Sequence, residues 1–137
     1  MKRRRHNKLG RTRLILTTGM IIAAGLVCRL APLGLDPFAR KWSGSVLWGA
    51  LFWCLAAFVV GGDRRLSRLT LAMFGCFASE TLKLVHIAPL DTLRRTAAGG
   101  FLLGHVFSWY DMAAYLAGII LMELASAISV VRRRSRP

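Results

Sequence analysis

Ionisable side chains within apolar stretches are the residues of this sequence best placed to do chemistry. Glu80 and Lys83 stand three residues apart, and His86 follows three residues later, in a mostly apolar run. Side chains three or four residues apart share one face of a helix. The spacing therefore predicts an ion pair between Glu80 and Lys83. Because charged groups are costly in an apolar medium, this pair either neutralises itself or joins a wider polar network.

A second set of polar residues could complete that network. Arg29 interrupts the first apolar run, and Asp111 begins the last one with Tyr115 a turn later. Cationic side chains bind phosphate and carboxylate groups, and carboxylates orient those cations. The predicted ligand-binding or polar-network residues are Arg29, Glu80, Lys83, Arg94, Arg95, Asp111 and Tyr115. The alternative to this network is an isolated Glu80–Lys83 pair. Arg29 would then extend to the membrane interface by itself.

Signatures of catalysis and metal binding are absent from the sequence. It contains no H-E-x-x-H, Gly-x-Ser-x-Gly, Walker or Gly-x-Gly-x-x-Gly motif. His86 with Asp91, or His105 with Asp111, could pair as a base and its orienter, but neither has a nucleophile at a recognised spacing. The sequence favours a protein that is not an enzyme and needs no metal or cofactor. The cysteines have no C-x-x-C spacing and are expected to be small buried residues: Cys28, Cys54 and Cys76.

The composition places these polar residues in a membrane. Of the 137 residues 55% are hydrophobic, the mean hydropathy is +0.48, and the formal net charge is +14. A soluble basic domain, such as a nucleic-acid binder, would scatter its charges through the chain, whereas long runs here carry none. Membrane lipids are therefore the expected partners, and nucleic acid is not.

Four apolar stretches approach the roughly 20 residues that a helix needs to cross a hydrocarbon core of about 30 Å. They cover about 14–35, 45–60, 69–90 and 111–131. They lack the alternation of barrel strands, so helices are expected. The predicted fold is all-α, a four-transmembrane-helix bundle in a single membrane domain of residues 1–137. The first stretch also resembles a cleaved signal peptide, an alternative that would leave three spans.

The distribution of Lys and Arg predicts the orientation, because positive flanks resist translocation. The tails 1–13 and 132–137 and the middle loop around 64–68 are basic, whereas the two other loops hold only two cations each. We expect both termini in the cytoplasm, in a bacterial inner membrane. The predicted polar network then lies toward the outer face, and Glu123 lies toward the inner half.

The stretch from Ser79 to Gly118 carries a family resemblance. Its motifs are Glu80-x-x-Lys83-Leu84, Ala88-Pro89-Leu90-Asp91, Arg94, Gly104-His105-Val106-Phe107-Ser108-Trp109-Tyr110-Asp111 and Tyr115. This pattern resembles small four-span bacterial membrane proteins of domain of unknown function 2809 and, more distantly, the VanZ-like group associated with teicoplanin resistance. The resemblance implies that the characteristic polar positions are Arg29, Glu80, Arg94, Asp111 and Tyr115. Two positions depart from it, namely Ser45, where the family tends to have Asp, and Lys83, where it tends to have Gln.

Two functions agree best with these observations, and a membrane-embedded enzyme that acts on a lipid-linked substrate is a third alternative. In the first, the polar network binds an anionic lipid headgroup or a cell-envelope precursor; cations attract it, Glu80 and Asp111 orient the cations, and Tyr115 donates a hydrogen bond. In the second, the chain is a non-catalytic accessory or assembly subunit of a membrane complex. The network is then a structural lock, and small-residue faces such as Gly19 with Ala23 pack against a partner membrane protein. The sequence leaves the oligomeric state open.

Overall fold

The described part of the chain is entirely helical apart from turns and loops. The computed structural model describes residues 2–31, 34, 36–61 and 64–134, and the side chains at 2–9, 29, 30, 97, 101 and 130–134 lie outside this description. The helices are α1 (Lys2–Leu30), α2 (Pro37–Val60), α3 (Arg65–Leu82), α4 (Ala88–Arg94), α5 (Ala97–Leu103) and α6 (Trp109–Arg134). The predicted all-α class is confirmed.

Within the described residues, three helices are long and apolar enough to cross a membrane. The segments are Gly10–Cys28 in α1, Pro37–Val60 in α2 and Trp109–Ser129 in α6. Helix α3 has 18 residues, a length of about 27 Å. It carries three charged residues, Arg65, Arg68 and Glu80, whereas an 18-residue apolar window in each of the other three helices holds at most two.

Helix α2 begins earlier than the apolar pattern predicts. It starts at Pro37, because an Asp36 side-chain oxygen accepts the backbone N–H of Ala39 at 2.8 Å and so caps the first turn. Proline suits this position, since the first helical residues have no N–H partner within the helix. The earlier start carries Lys41, predicted to be in a loop, onto the helix.

Helix α3 ends at Leu82, within the stretch predicted to span residues 69–90. A non-helical segment follows, and α4 then begins at Ala88. The Arg94 guanidinium donates hydrogen bonds to the carbonyls of Leu82 at 2.6 Å and Val85 at 2.7 Å. Carbonyls at a helix C-terminus lack the usual helical N–H donors, so Arg94 stabilises the end of α3.

The core lies where α2, α3 and α6 meet, and α1 packs against α2 at its edge. Leu14 and Ile21 of α1 contact this core. Small side chains are prominent in it, which allows the helices to approach closely. Its buried members are Trp53, Cys54, Ala56, Ala57, Ala72, Cys76, Tyr115 and Ile119. The free thiols of Cys54 and Cys76 are buried, as the sequence predicts, but Cys28, also predicted to be buried, is only half-buried.

Two glycines allow the close approach of α2 and α6. A Cβ on Gly49 would collide with the Tyr115 carbonyl, and one on Gly118 would collide with the Val46 carbonyl. Around Gly19 of α1, by contrast, no described atom lies within 4 Å of an added Cβ. The face of α6 that carries Gly118 therefore packs against α2 within this chain.

Gly118→Ala is expected to lower the free energy of unfolding by about 1–3 kcal/mol, as overpacking does. The added methyl group must displace the Val46 carbonyl on α2. Denaturant titration of the purified protein in detergent measures the loss. The matched control is Gly19→Ala, which adds the same methyl group in open space. Similar losses for the two variants would argue against the close α2–α6 contact.

Candidate functional site

Glu80 is the centre of a buried polar cluster in the last turn of α3. Its side chain is 0% exposed and forms an ion pair with Lys83 Nζ at 2.6 Å. The Tyr115 hydroxyl and the backbone N–H of Ser108 each donate a hydrogen bond to it at 2.8 Å. Three donors around one carboxylate offset much of the cost of burying its charge. We call the end of the bundle that holds this cluster the Glu80 end.

Asp111 lies beside this cluster in the first turn of α6. Lys83 Nζ is 3.6 Å from one of its carboxylate oxygens, and Lys41 Nζ is 3.6 Å from the other. The Ser45 hydroxyl lies 3.2 Å from Asp111 and also 3.2 Å from the Lys41 carbonyl, so it divides its single proton between them. Lys83 therefore lies between two carboxylates, and Asp111 lies between two ammonium groups.

A cavity of about 780 Å³ opens beside Asp111. Its apolar wall comes from α1 and α2 and includes Ile21, Ile22, Leu26, Leu47, Trp48 and Leu51. Its polar lining includes Arg40, Lys41, Ser45, Lys83, His105, Asp111 and Tyr115. Cavities of this size, mostly apolar with a few converging polar groups, are typical of small-molecule sites.

Cations outnumber carboxylates around the cavity. Lys83 is 11% exposed and is held by both Glu80 and Asp111, whereas the Lys41 side chain is 55% exposed. Arg40 is also exposed, and no carboxylate of the described residues pairs with it. The arrangement can attract an anion at Arg40 and Lys41, and it offers apolar surface further along α2.

The predicted network is brought together in part. Glu80, Lys83, Asp111 and Tyr115 meet as one cluster, which favours the wider network over an isolated Glu80–Lys83 pair. The Tyr115 hydroxyl, expected to donate to a ligand, donates to Glu80. The Arg29 side chain lies outside the described residues.

Arg94 and Arg95 take other positions. The Arg94 guanidinium is buried at the end of α3 and pairs with Asp91 at 2.9 Å. Desolvation opposes ionisation of Asp91, but hydrogen bonds from Arg94 and His86 bring its pKa below the ordinary value. Arg95 is exposed at the end of α4 and does not line the cavity. Arg94 therefore fixes the end of α3 instead of facing the cavity.

A second charged cluster lies at the other end of the bundle, around Glu123 of α6. Arg68 Nη2 of α3 donates to both Glu123 carboxylate oxygens at 2.9 Å, and the Trp53 indole N–H of α2 donates at 2.9 Å. The Arg68 guanidinium also lies 4.8 Å from the centre of the Trp53 ring, within the range of a cation–π contact. Arg65 adds an exposed ion pair at 3.0 Å. This cluster joins the three central helices.

Sequence reasoning missed Lys41 and Ser45 at the first cluster and Arg68 at the second. Lys41 and Ser45 are four residues apart and therefore share a helix face, but that spacing has meaning only if α2 begins before residue 41. The Asp36-Pro37 cap was the available signal. The apolar pattern predicts that Arg68 lies in a basic loop, because the predicted third span begins after it.

The geometry defines an all-helical protein with helices of membrane-spanning length and a buried polar cluster beside a cavity at one end. The chain belongs to the family described as protein of unknown function DUF2809, whose profile matches residues 34–119. The match takes in Glu80, Lys83, Asp111 and Tyr115, while α1 and Glu123 fall outside it. No solved structure matches the chain.

Proposed function

We propose that this protein is a small integral membrane protein of the bacterial inner membrane. It binds an anionic lipid headgroup, or the equivalent phosphate of a lipid-linked cell-envelope precursor, in the cavity at the Glu80 end. The observation that carries the proposal is the lining of that cavity, with exposed cations at one end and an apolar wall at the other. The resemblance to VanZ-like proteins stays a prediction.

The order of residues along α2 matches the order of groups in a lipid. Cavity-lining residues run from Pro37 to Leu51, a distance of about 21 Å at about 1.5 Å per residue. Arg40 and Lys41 lie near the helix start, whereas Leu47 and Leu51 lie deeper. A phosphate can therefore pair with the cations while an attached chain contacts the apolar wall.

Helix α3 is the fourth span of this membrane protein. Its charges are paired within the bundle, Arg65 and Arg68 with Glu123 and Glu80 with Lys83. Pairing lowers the cost of placing charged side chains at membrane depth. With both termini in the cytoplasm, as the basic tails favour, the Glu80 end faces outward.

A thermal-unfolding series in detergent tests the lipid site. Phosphatidylglycerol should raise the unfolding temperature, because a ligand that binds only the folded state stabilises it by about 2.7 kcal/mol at 100 times its Kd. Diacylglycerol with the same chains has no phosphate and should not. Glycerophosphoglycerol has the headgroup without chains and should not stabilise either. Equal stabilisation by diacylglycerol, or by the headgroup alone, would refute a lipid-phosphate site.

Lys41→Gln should weaken phosphatidylglycerol binding about tenfold, which equals about 1.4 kcal/mol. A hydrogen bond to a charged group is worth a similar amount. The matched control is Arg95→Gln, which removes an exposed cation at the same end that does not line the cavity. Equal weakening by both variants would mean that general surface charge attracts the lipid.

The complete burial of Glu80 favours the second candidate function, an accessory or assembly subunit. A carboxylate that is 0% exposed and held by three donors can act as a structural lock. In that case phosphatidylglycerol should leave the unfolding temperature unchanged. Asp111→Asn should then sharply lower the amount of folded protein in the membrane.

A further inference from the structure

Glu80 and Asp111 are both buried carboxylates, but they differ in how fully their oxygens are hydrogen-bonded. Glu80 receives close contacts from Lys83, Tyr115 and Ser108. The two ammonium groups near Asp111 lie 3.6 Å away, beyond the usual range for a hydrogen bond. Its one hydrogen bond from a side chain of the described residues is the divided contact with Ser45.

Asp111, which lines the cavity, therefore has acceptor capacity that these contacts leave unused. An ionised carboxylate can accept about four hydrogen bonds, and this side chain is only 7% exposed while lining the cavity. Buried polar groups are usually satisfied. A ligand group that donates a hydrogen bond would complete the site, whereas an acceptor such as an ester carbonyl would be repelled.

The position of Asp111 along the cavity specifies where the ligand must carry its hydrogen-bond donor. Asp111 contacts Ser45, which lies one helical turn, about 6 Å, further from the start of α2 than Lys41. Leu51 on the apolar wall lies about 9 Å deeper again. The Lys41 side chain reaches across that turn, since its Nζ lies 3.6 Å from Asp111, so the cavity presents cations and an acceptor side by side, with apolar surface deeper along α2.

We propose that the cavity selects a lysophospholipid, in which a free hydroxyl lies between the phosphate and the single chain. This inference rests on the proposed function, in which Arg40 and Lys41 hold the phosphate. The free hydroxyl donates to Asp111. In a diacyl lipid that oxygen is esterified, so no donor is present at the level of Asp111.

Two matched lipids test the selection. They are 1-oleoyl-glycerol-3-phosphate and its 2-O-methyl ether, in which a methyl group replaces the hydroxyl proton. Native mass spectrometry of the full chain titrated with each lipid gives the two dissociation constants. The wild-type protein should bind the hydroxyl form at least tenfold more tightly. Equal binding of the two lipids would overturn the inference.

Asp111→Asn shows whether this residue is responsible for the preference. Removing the negative charge leaves Lys41 without its carboxylate partner, while Lys83 stays paired with Glu80. Arg40 and Lys41 still attract phosphate, so binding should persist while the preference for the hydroxyl form falls below about threefold. A preference that remains tenfold in this variant would overturn the role of Asp111. Persistent binding also shows that the variant is folded.

The outcomes separate this inference from the proposed function. If both lipids bind equally and Lys41→Gln weakens both, the lipid-phosphate site stands and the hydroxyl selection fails. If neither lipid binds, or Lys41→Gln changes neither affinity, the proposed function fails as well.

Discussion

Glu123→Ala is expected to lower the free energy of unfolding by about 3–5 kcal/mol, the usual result of removing one partner of a buried ion pair. The Arg68 guanidinium is only 4% exposed and would lose both carboxylate oxygens, and the Trp53 N–H would lose its acceptor. Denaturant titration in detergent, followed by tryptophan fluorescence, measures the loss.

Arg65→Ala is the matched control for Glu123. It removes an ion pair to the same carboxylate, but its side chain is 72% exposed. Exposed pairs contribute about 0–1 kcal/mol, so the loss should be several times smaller. If Arg65→Ala proved as damaging as Glu123→Ala, the burial of the Arg68–Glu123 pair would not be what stabilises this end.

Glu80→Ala is expected to have a similarly large effect at the opposite end. It leaves the Tyr115 hydroxyl and the Ser108 N–H without their acceptor and leaves Lys83 with only its longer contact to Asp111. We expect a loss of about 3–5 kcal/mol, as for other broken buried pairs. Thermal unfolding in detergent provides the measurement.

Tyr115→Phe removes a single one of the hydrogen bonds to the Glu80 carboxylate. This variant removes the hydroxyl alone and should cost about 1–3 kcal/mol, less than Glu80→Ala. A loss from Glu80→Ala no larger than that from Tyr115→Phe would indicate that Glu80 is not the centre of the cluster.

The polar cluster could be predicted in part because helix periodicity is visible in sequence. Glu80 and Lys83 are separated by one turn, as are Asp111 and Tyr115, so each pair was placed on one helix face. The prediction that the two pairs join rests on the cost of leaving charged groups unpaired in apolar surroundings. In the structure the two pairs are joined by the contacts of Lys83 with Asp111 and of Tyr115 with Glu80.

Other features depend on where helices begin and end, which hydropathy places poorly. The apolar run of α2 begins after Lys41, but the helix begins at the polar Asp36-Pro37 cap. The predicted third span continued past Leu82, whereas Arg94 binds carbonyls at that point and ends α3. The sequence predicts that Arg94 lies beside Glu80. Its role at the end of α3 depends on the path of the chain between α3 and α4, which residue spacing alone does not predict.

A native mass spectrum of the protein, released gently from its own membrane, tests the lipid site most directly. We expect the wild-type chain to retain a discrete phospholipid adduct whose mass identifies it. The variant with both Arg40→Gln and Lys41→Gln should lose this adduct while remaining folded, because both side chains are exposed. Bare wild-type protein, or the same adduct on both proteins, would contradict a ligand site at these cations. A stable complex with another protein and no lipid would favour the accessory-subunit function.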